Sequence, residues 1–328
     1  MIWKVHPYEL HFHRPAKTSR DTLTSKQIWF LHLIENNQVV GIGEVAPIFG
    51  LSVESKEDVT LELERIQSEF TIHSSISSVQ CAMEMALSAR ENRDAYASFC
   101  GNTPLVPIAI NGLVWMNELD EMRKQAYEKI EDGNRCIKLK IGALNIDDEL
   151  ALIAELRSKW SAEELTIRVD ANGAFSVTEA LHVLQKLADL KVHSIEQPIR
   201  AGQTAALFEL ASKSPVPIAL DEELIGRSPE QLTSFLVHGK PQFLVIKPSL
   251  HGGFSATQHW ISWAKEHGID YWLTSALESN VGLNAIARWI CEHGLSGVQG
   301  LGTGGLFTNN TEAFWKVEGP NLIPLAYA

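Results

Sequence analysis

Several stretches of this 328-residue chain place ionisable residues where apolar ones are expected. Lys138 and Lys140 interrupt Cys136-Ile137-Lys138-Leu139-Lys140-Ile141. Asp170 closes Thr166-Ile167-Arg168-Val169, Glu196 follows Ser194-Ile195, Asp221 follows Ile218-Ala219-Leu220, and Lys247 follows Phe243-Leu244-Val245-Ile246. Side chains alternate across a strand, so Lys138 and Lys140 share one face and Ile137, Leu139 and Ile141 the other. Alone, such a lysine pair reads as the solvated side of an edge strand, and each acid alone as a helix N-cap or loop carboxylate. Together they read differently, because positions 140, 170, 196, 221 and 247 step by 25 to 30 residues, about one β-α unit.

Three acids at the ends of adjacent parallel strands converge and repel one another unless a cation joins them. Hard oxygen donors without His or Cys favour Mg²⁺, with Mn²⁺ also compatible. Lysines on the strand before and the strand after make the set suited to removing a proton α to a carboxylate: the cation holds the carboxylate and a lysine is the base. A lysine serves as a base only when its charged form is disfavoured. Burial, the neighbouring Lys138 and a nearby cation would all act that way on Lys140.

The elements that position these residues follow from hydrophobic periodicity. Residues 1–45 read as antiparallel strands at 2–12, 27–34 and 39–45, with Asn36-Asn37 as a turn and the polar segment 14–26 as a candidate mobile lid. Helices are expected at 55–68, where Val59, Leu63 and Ile66 recur at helical spacing, and at 78–90. After Pro104 and Pro107, eight short strands (108–111, 136–140, 166–170, 192–196, 218–221, 243–247, 271–274 and 297–300) alternate with amphipathic helices. Eight β-α units in about 200 residues fit a (β/α)8 barrel better than an open sheet, and no G-x-G-x-x-G follows an early strand. The expected organisation is an α/β barrel at 105–310 with an N-terminal α+β capping domain at 1–104, in which Phe49-Gly50-Leu51-Ser52 falls in a loop. The tail, 311–328, is expected to return to the capping domain.

Composition narrows the partners. A net charge of −12 argues against a nucleic-acid footprint, while a local lysine cluster can still hold a small carboxylate. No run approaches the ~20 apolar residues of a membrane span, and the N-terminus lacks a signal-peptide layout, so a cytoplasmic protein is expected. Cys81, Cys100, Cys136 and Cys291 show no paired spacing and read as reduced thiols. His238, His251 and His293 read as ordinary loop or helix residues, Trp272 and Trp289 as core. The sequence sets no oligomeric state.

Lys138-x-Lys140, Asp170 before Ala-Asn, Glu196 before Gln-Pro, Asp221 before Glu, and Lys247 before Pro resemble the enolase superfamily, in its muconate-lactonizing-enzyme subgroup. Gly43-Glu44-Val45-Ala46-Pro47 is similar to a segment of that family's capping domain, and the similarity of Phe49-Gly50-Leu51-Ser52 to a loop of the family implies that this loop contacts substrate. The resemblance implies the chemistry general to the superfamily, a lysine base working with Mg²⁺ through an enediolate. It assigns Asp170, Glu196 and Asp221 to the metal, Lys140 to proton transfer, Lys138 to its support and Lys247 to the opposite face. Glu222 and Glu223 compete with Asp221, which is preferred because it ends the apolar run. Thr274-Ser275-Ala276-Leu277-Glu278-Ser279-Asn280 and Gly300-Leu301-Gly302-Thr303-Gly304 resemble the subgroup's dehydratases. They imply substrate contacts at Ser275, Asn172, Gly302 and Thr303 and syn dehydration of a dicarboxylate, 2-succinyl-6-hydroxy-2,4-cyclohexadiene-1-carboxylate, in menaquinone biosynthesis. Dipeptide epimerases carry Asp-x-Asp where this chain has Gly302-Thr303-Gly304; racemisation of N-succinylamino acids is the alternative.

Overall fold

The computed structural model describes residues 1–17, 22–99, 101 and 103–325. Residues 18–21 of the expected lid, Cys100, and the last three tail residues lie outside the described residues.

Alternating apolar residues build an antiparallel sheet in the order β1 (Ile2–Lys17), β2 (Thr22–Glu35), β3 (Gln38–Val45). Asn36 and Asn37 both take positive φ, 50° and 63°, the two-residue hairpin turn whose twist matches its strands. One face of the sheet carries Trp3, Trp29, Leu31, Leu33 and Val45 against α1 (Lys56–Ser68) and α2 (Ser77–Glu91). Helix α1 starts at a reciprocal cap between Ser55 and Asp58 and buries Val59, Leu63 and Ile66, as their spacing predicts. The segment expected to be a mobile lid differs: β1 runs on to Lys17, β2 begins at Thr22, and Lys26 is buried within β2. A polar, lysine-containing stretch looks like a loop locally, and only contacts with distant residues make it strand.

The alternating half follows as β4 (Ile108–Ala109), β5 (Gly112–Val114), α3 (Leu119–Glu131), β6 (Cys136–Lys140), α4 (Ile146–Lys159), β7 (Thr166–Asp170), α5 (Val177–Asp189), β8 (Ser194–Glu196), α6 (Thr204–Lys213), β9 (Ile218–Leu220), α7 (Pro229–Thr233), β10 (Phe243–Ile246), α8 (Gly253–Glu266), β11 (Asp270–Leu273) and α9 (Asn280–Glu292). Strands β5 to β11 pair in parallel in sequence order. Parallel bridges Thr274↔Gly300 and Ile110↔Gln299 close the ring, giving the expected barrel.

Two details depart from expectation. The first barrel strand, expected at 108–111, is split: residues 112–114 pair with β6, while β4 pairs antiparallel with the tail hairpin β12 (Trp315–Glu318) and β13 (Asn321–Pro324). The eighth strand, expected at 297–300, is reduced to the bridges at Gln299 and Gly300, and among the described residues no helix follows it. The tail gives its backbone pairing to β4, and it meets the N-terminal half where Phe314 lies 5.3 Å from Tyr96, ring to ring. Strand alternation sends Ile137, Leu139 and Ile141 outward into the layer shared with the helices and Lys138 and Lys140 into the barrel.

Strand β3 touches α2 backbone to backbone, which only glycine allows: a Cβ on Gly43 would lie 1.9 Å from the Ala82 carbonyl oxygen, and one on Gly41 1.9 Å from that of Ala86. Gly43→Ala must therefore push sheet and helix apart. We expect a loss of roughly 1–3 kcal/mol or more in denaturant unfolding, with an unchanged midpoint contradicting this packing.

Candidate active site

Register brings the ionisable residues together. Lys140 lies beside Asp170 and Asp170 beside Glu196 on neighbouring strands; Glu196 pairs with Ala219, so Asp221 is the next inward-pointing residue of that chain segment. Lys247 follows β10, three strands beyond β7, on the far side of the ring. All of them line one cavity of about 180 Å³ at the C-terminal ends of the strands. Leu23, Ile48, Phe49, Gly50 and Leu51 of the N-terminal half complete its wall, including the Phe49-Gly50-Leu51 loop.

The acids are engaged by the lysines. Lys138 Nζ donates to both Glu196 oxygens at 2.7 Å and reaches Asp170 Oδ2 at 2.9 Å. Lys140 Nζ donates to the same Asp170 oxygen at 2.8 Å and to Asn172 Oδ1 at 2.6 Å. Lys247 Nζ donates to both Asp221 oxygens, at 2.6 and 2.5 Å. Burial opposes the charge on Lys138, but Asp170, Glu196 and Asp221 outweigh it and hold the ammonium well above its ordinary value. Burial likewise opposes the charge on Lys247, yet Asp221, Glu222 and Glu196 raise it. Burial works against the Asp170 carboxylate too, but Lys138 and Lys140 hold it far below the usual range; burial also opposes the Asp221 carboxylate, and Lys247 lowers its pKa in spite of it. Glu196 is the strained member: burial and the Asp170 carboxylate push it well up, against the pull of Lys138.

The chain stiffens this set locally. Asn172 adopts φ 44° and its N–H donates to Asp170 Oδ1 at 3.1 Å. Gln197, at φ 40°, accepts the N–H groups of Asp221 and Glu223 at 3.3 and 3.1 Å, fastening two strand ends. Glu223 turns away to Gly202 N, Thr204 Oγ1 and Arg227, which removes it as a rival to Asp221. Glu222 stays in the cavity: it accepts from Asn172 Nδ2 at 2.8 Å, its buried Oε2 has no partner, and burial with the nearby Asp221 pushes it up to about 7.

The residues present fit a divalent cation in chemistry. Three hard carboxylates, each no more than 2% exposed, face one cavity beside the unpartnered Glu222 Oε2. With the lysines as counter-charges, no three acids, histidines or cysteines among the described residues stand as a ready ligand group; a cation there would have to take over carboxylates that the ammonium groups now hold.

Around this centre, Ser275 Oγ accepts from Leu277 N at 3.0 Å and from Thr303 Oγ1 at 2.7 Å, leaving its own O–H to donate into the cavity. Gly302 and Thr303 line the same side. Asn172 lines the cavity as well, with its amide engaged by Lys140 and Glu222. Sequence reasoning passed over Asn111, a buried cavity residue just ahead of β5 whose Oδ1 has no partner. It also passed over Arg168, whose guanidinium lies 4.1 Å over the Trp272 ring and donates to Val298 O at 3.1 Å. Trp272 is buried as expected and also forms part of the cavity wall.

Residues 121–300 match the Enolase C-terminal domain-like family. The chain belongs to the enolase superfamily. It is 40% identical to an o-succinylbenzoate synthase of Desulfotalea psychrophila over 95% of each chain. The crystal structure of MenC from that organism superposes with a TM-score of 0.86 at 36% identity, covering 98% of this chain and 99% of the other. A dipeptide epimerase of Enterococcus faecalis, solved in complex with Mg and the dipeptide L-Leu-L-Tyr, shares the fold at a TM-score of 0.80 and 16% identity, over 98% and 96% of the two chains.

His251 is ordinary only in part. Its Nδ1 accepts the Lys247 N–H at 3.2 Å, and burial drives its pKa down to about 3. The unfolded chain binds the proton near pH 6.5 and the folded chain only near 3, so stability falls as pH drops through that window. We expect wild type to lose up to about 1.4 kcal/mol per pH unit more than His251→Asn between pH 6 and 4, measured by denaturant unfolding. Parallel losses in the two proteins contradict a neutral buried His251.

Proposed function

We propose that this enzyme is an o-succinylbenzoate synthase, a carbon–oxygen lyase that dehydrates 2-succinyl-6-hydroxy-2,4-cyclohexadiene-1-carboxylate in menaquinone biosynthesis. The observation that carries the reading is the single cavity in which Lys140 and Lys247 approach from opposite sides of the barrel with three carboxylates between them. The near-full-length likeness to an o-succinylbenzoate synthase supports it.

Asp170, Glu196 and Asp221 would hold Mg²⁺ or Mn²⁺. A cation there, when bound, polarises the ring carboxylate and makes the α-hydrogen acidic. Lys140, as the neutral amine, takes that proton; the electron pair passes into the carboxylate as an enediolate. The pair then returns to the ring and expels the C6 hydroxyl, which leaves as water with the proton that Lys140 gives back on the same face. Aromatisation drives the second step. Lys247 stabilises the anion from the opposite side, and Lys138 is the fixed positive charge beside Lys140. Ser275 with Gly302 and Thr303 orients the succinyl arm. That side of the cavity, at Gly302 to Gly304, presents no carboxylate to a substrate ammonium, which supports a dicarboxylate over a dipeptide.

We divide the chain at 1–104, 105–310 and 311–328, with the first part closing the cavity over the barrel. Unpaired, buried thiols at Cys81, Cys136 and Cys291 accord with a cytoplasmic site of action. Among the described residues no helix is long and apolar enough to cross a membrane.

Purified protein given Mg²⁺ and the cyclohexadiene substrate should develop the ultraviolet absorbance of the aromatic product; no change defeats the synthase reading. α-Deuterium exchange of N-succinylamino acids without that dehydration would favour the racemase. Lys140→Ala should lower turnover at least about 10³-fold while Mg²⁺ binding, by calorimetry, is retained at least as tightly, since a competing positive charge on Asp170 is gone. Substantial residual turnover would remove Lys140 as the base.

A further inference from the structure

Lys26 belongs to the stretch that local sequence marks as a lid, yet it is only 6% exposed and its ammonium is fully engaged. Nζ donates to Ala276 O at 2.6 Å, Leu277 O at 2.9 Å and Ala46 O at 3.3 Å. Three N–H donors meet three carbonyls, the full capacity of the group. One carbonyl lies two residues before Ile48, and the other two lie in the segment after β11; Ile48, Ala276 and Leu277 all line the cavity. A single side chain of the N-terminal sheet therefore joins both walls of the site.

The barrel segment needs that anchor. Leu277 is a non-glycine residue at φ 61°, a left-handed conformation that costs free energy unless its surroundings enforce it. Its N–H is taken by Ser275 Oγ, and the Ala276 N–H by Glu278 Oε2 at 2.6 Å, while Ser249 Oγ holds the other Glu278 oxygen. Glu44 of β3 accepts Ser279 N, Ser279 Oγ and Gly282 N at 2.8, 2.6 and 2.8 Å. The N–H groups of this turn are thus fixed by the barrel and by β3, and the two buried carbonyls that remain are taken by Lys26.

We propose that Lys26 is a positioning residue for substrate recognition: by clamping the Ala276 and Leu277 carbonyls it sets the turn that aims the Ser275 hydroxyl into the cavity. The idea rests on the proposed dicarboxylate substrate only for its kinetic readout. Burial lowers the pKa of Lys26, and Glu278 and Glu44 act against that shift. Lys26 lies outside the proton-transfer set, and its removal should weaken binding and leave the chemical step in place.

The test is the Lys26→Met variant, assayed with Mg²⁺ and the cyclohexadiene substrate, with wild-type folding checked by thermal melting. KM should rise about tenfold or more, the worth of one positioned contact, while kcat stays nearly unchanged. Amide hydrogen exchange over residues 274–280 should speed up in the variant. If Lys26→Met does not fold, Lys26→Gln, which keeps two N–H donors on a shorter stem, should show the same changes in smaller degree. A folded variant with unchanged KM, or with kcat falling and KM constant, overturns the proposal. If wild type does not turn over this substrate, the functional reading fails separately, and exchange then decides: unchanged protection of 274–280 overturns the clamp, and lost protection upholds it.

Discussion

The site depends on one shared oxygen. Asp170 Oδ2 accepts from both Lys138 and Lys140, at 2.9 and 2.8 Å, in a part of the barrel with almost no contact with solvent. An isolated buried ammonium or carboxylate is costly, and removing one partner of a buried pair strands the other. Asp170 is thus the reason two lysines can occupy one face of an interior strand. The lysines are in turn the reason that Asp170, Glu196 and Asp221 can lie side by side without expelling one another. On the proposed function, a divalent cation would take over the compensation that the ammonium groups supply here.

This array was legible in the sequence because it is written in the period of the fold. The five consecutive strands β6 to β10 each end on, or just before, an ionisable residue, so the β-α repeat that identifies the barrel also points to its site. Asp221 was preferred to Glu222 and Glu223 by its place at the end of an apolar run; Glu223 turns to Thr204 and Arg227, while Glu222 stays in the cavity beside Asp221. Parts settled by distant contacts were not legible. Ile108 and Ala109 look like the first barrel strand but pair with β13, some two hundred residues later, and the eighth strand is only a pair of bridges. Lys26 reads as an exposed lysine in a polar segment until Ala276 and Leu277, which no local pattern links to it, supply its acceptors. Asn111 lies just ahead of β5, off the strand-end pattern, and carries no charge to draw notice.

The two halves of the molecule consequently divide the work. The barrel holds the reacting groups rigidly by register, with Gln197 and Asn172 in left-handed conformations tightening the strand ends. The N-terminal sheet brings apolar wall residues and, through Lys26 and Glu44, fixes the barrel turn that carries Ser275. On the proposed function, substrate choice would belong to the junction between the halves and proton transfer to the barrel alone.

The most direct measurement is a crystal structure of the enzyme with Mg²⁺ and o-succinylbenzoate bound. The account predicts a cation on Asp170, Glu196 and Asp221 in place of the lysine contacts, with the ring carboxylate on that cation. Lys140 should stand against the ring carbon that lost its proton, and Lys247 on the opposite face. A cation bound elsewhere with the lysine–carboxylate pairs intact, or both lysines on the same face of the ring, would contradict it.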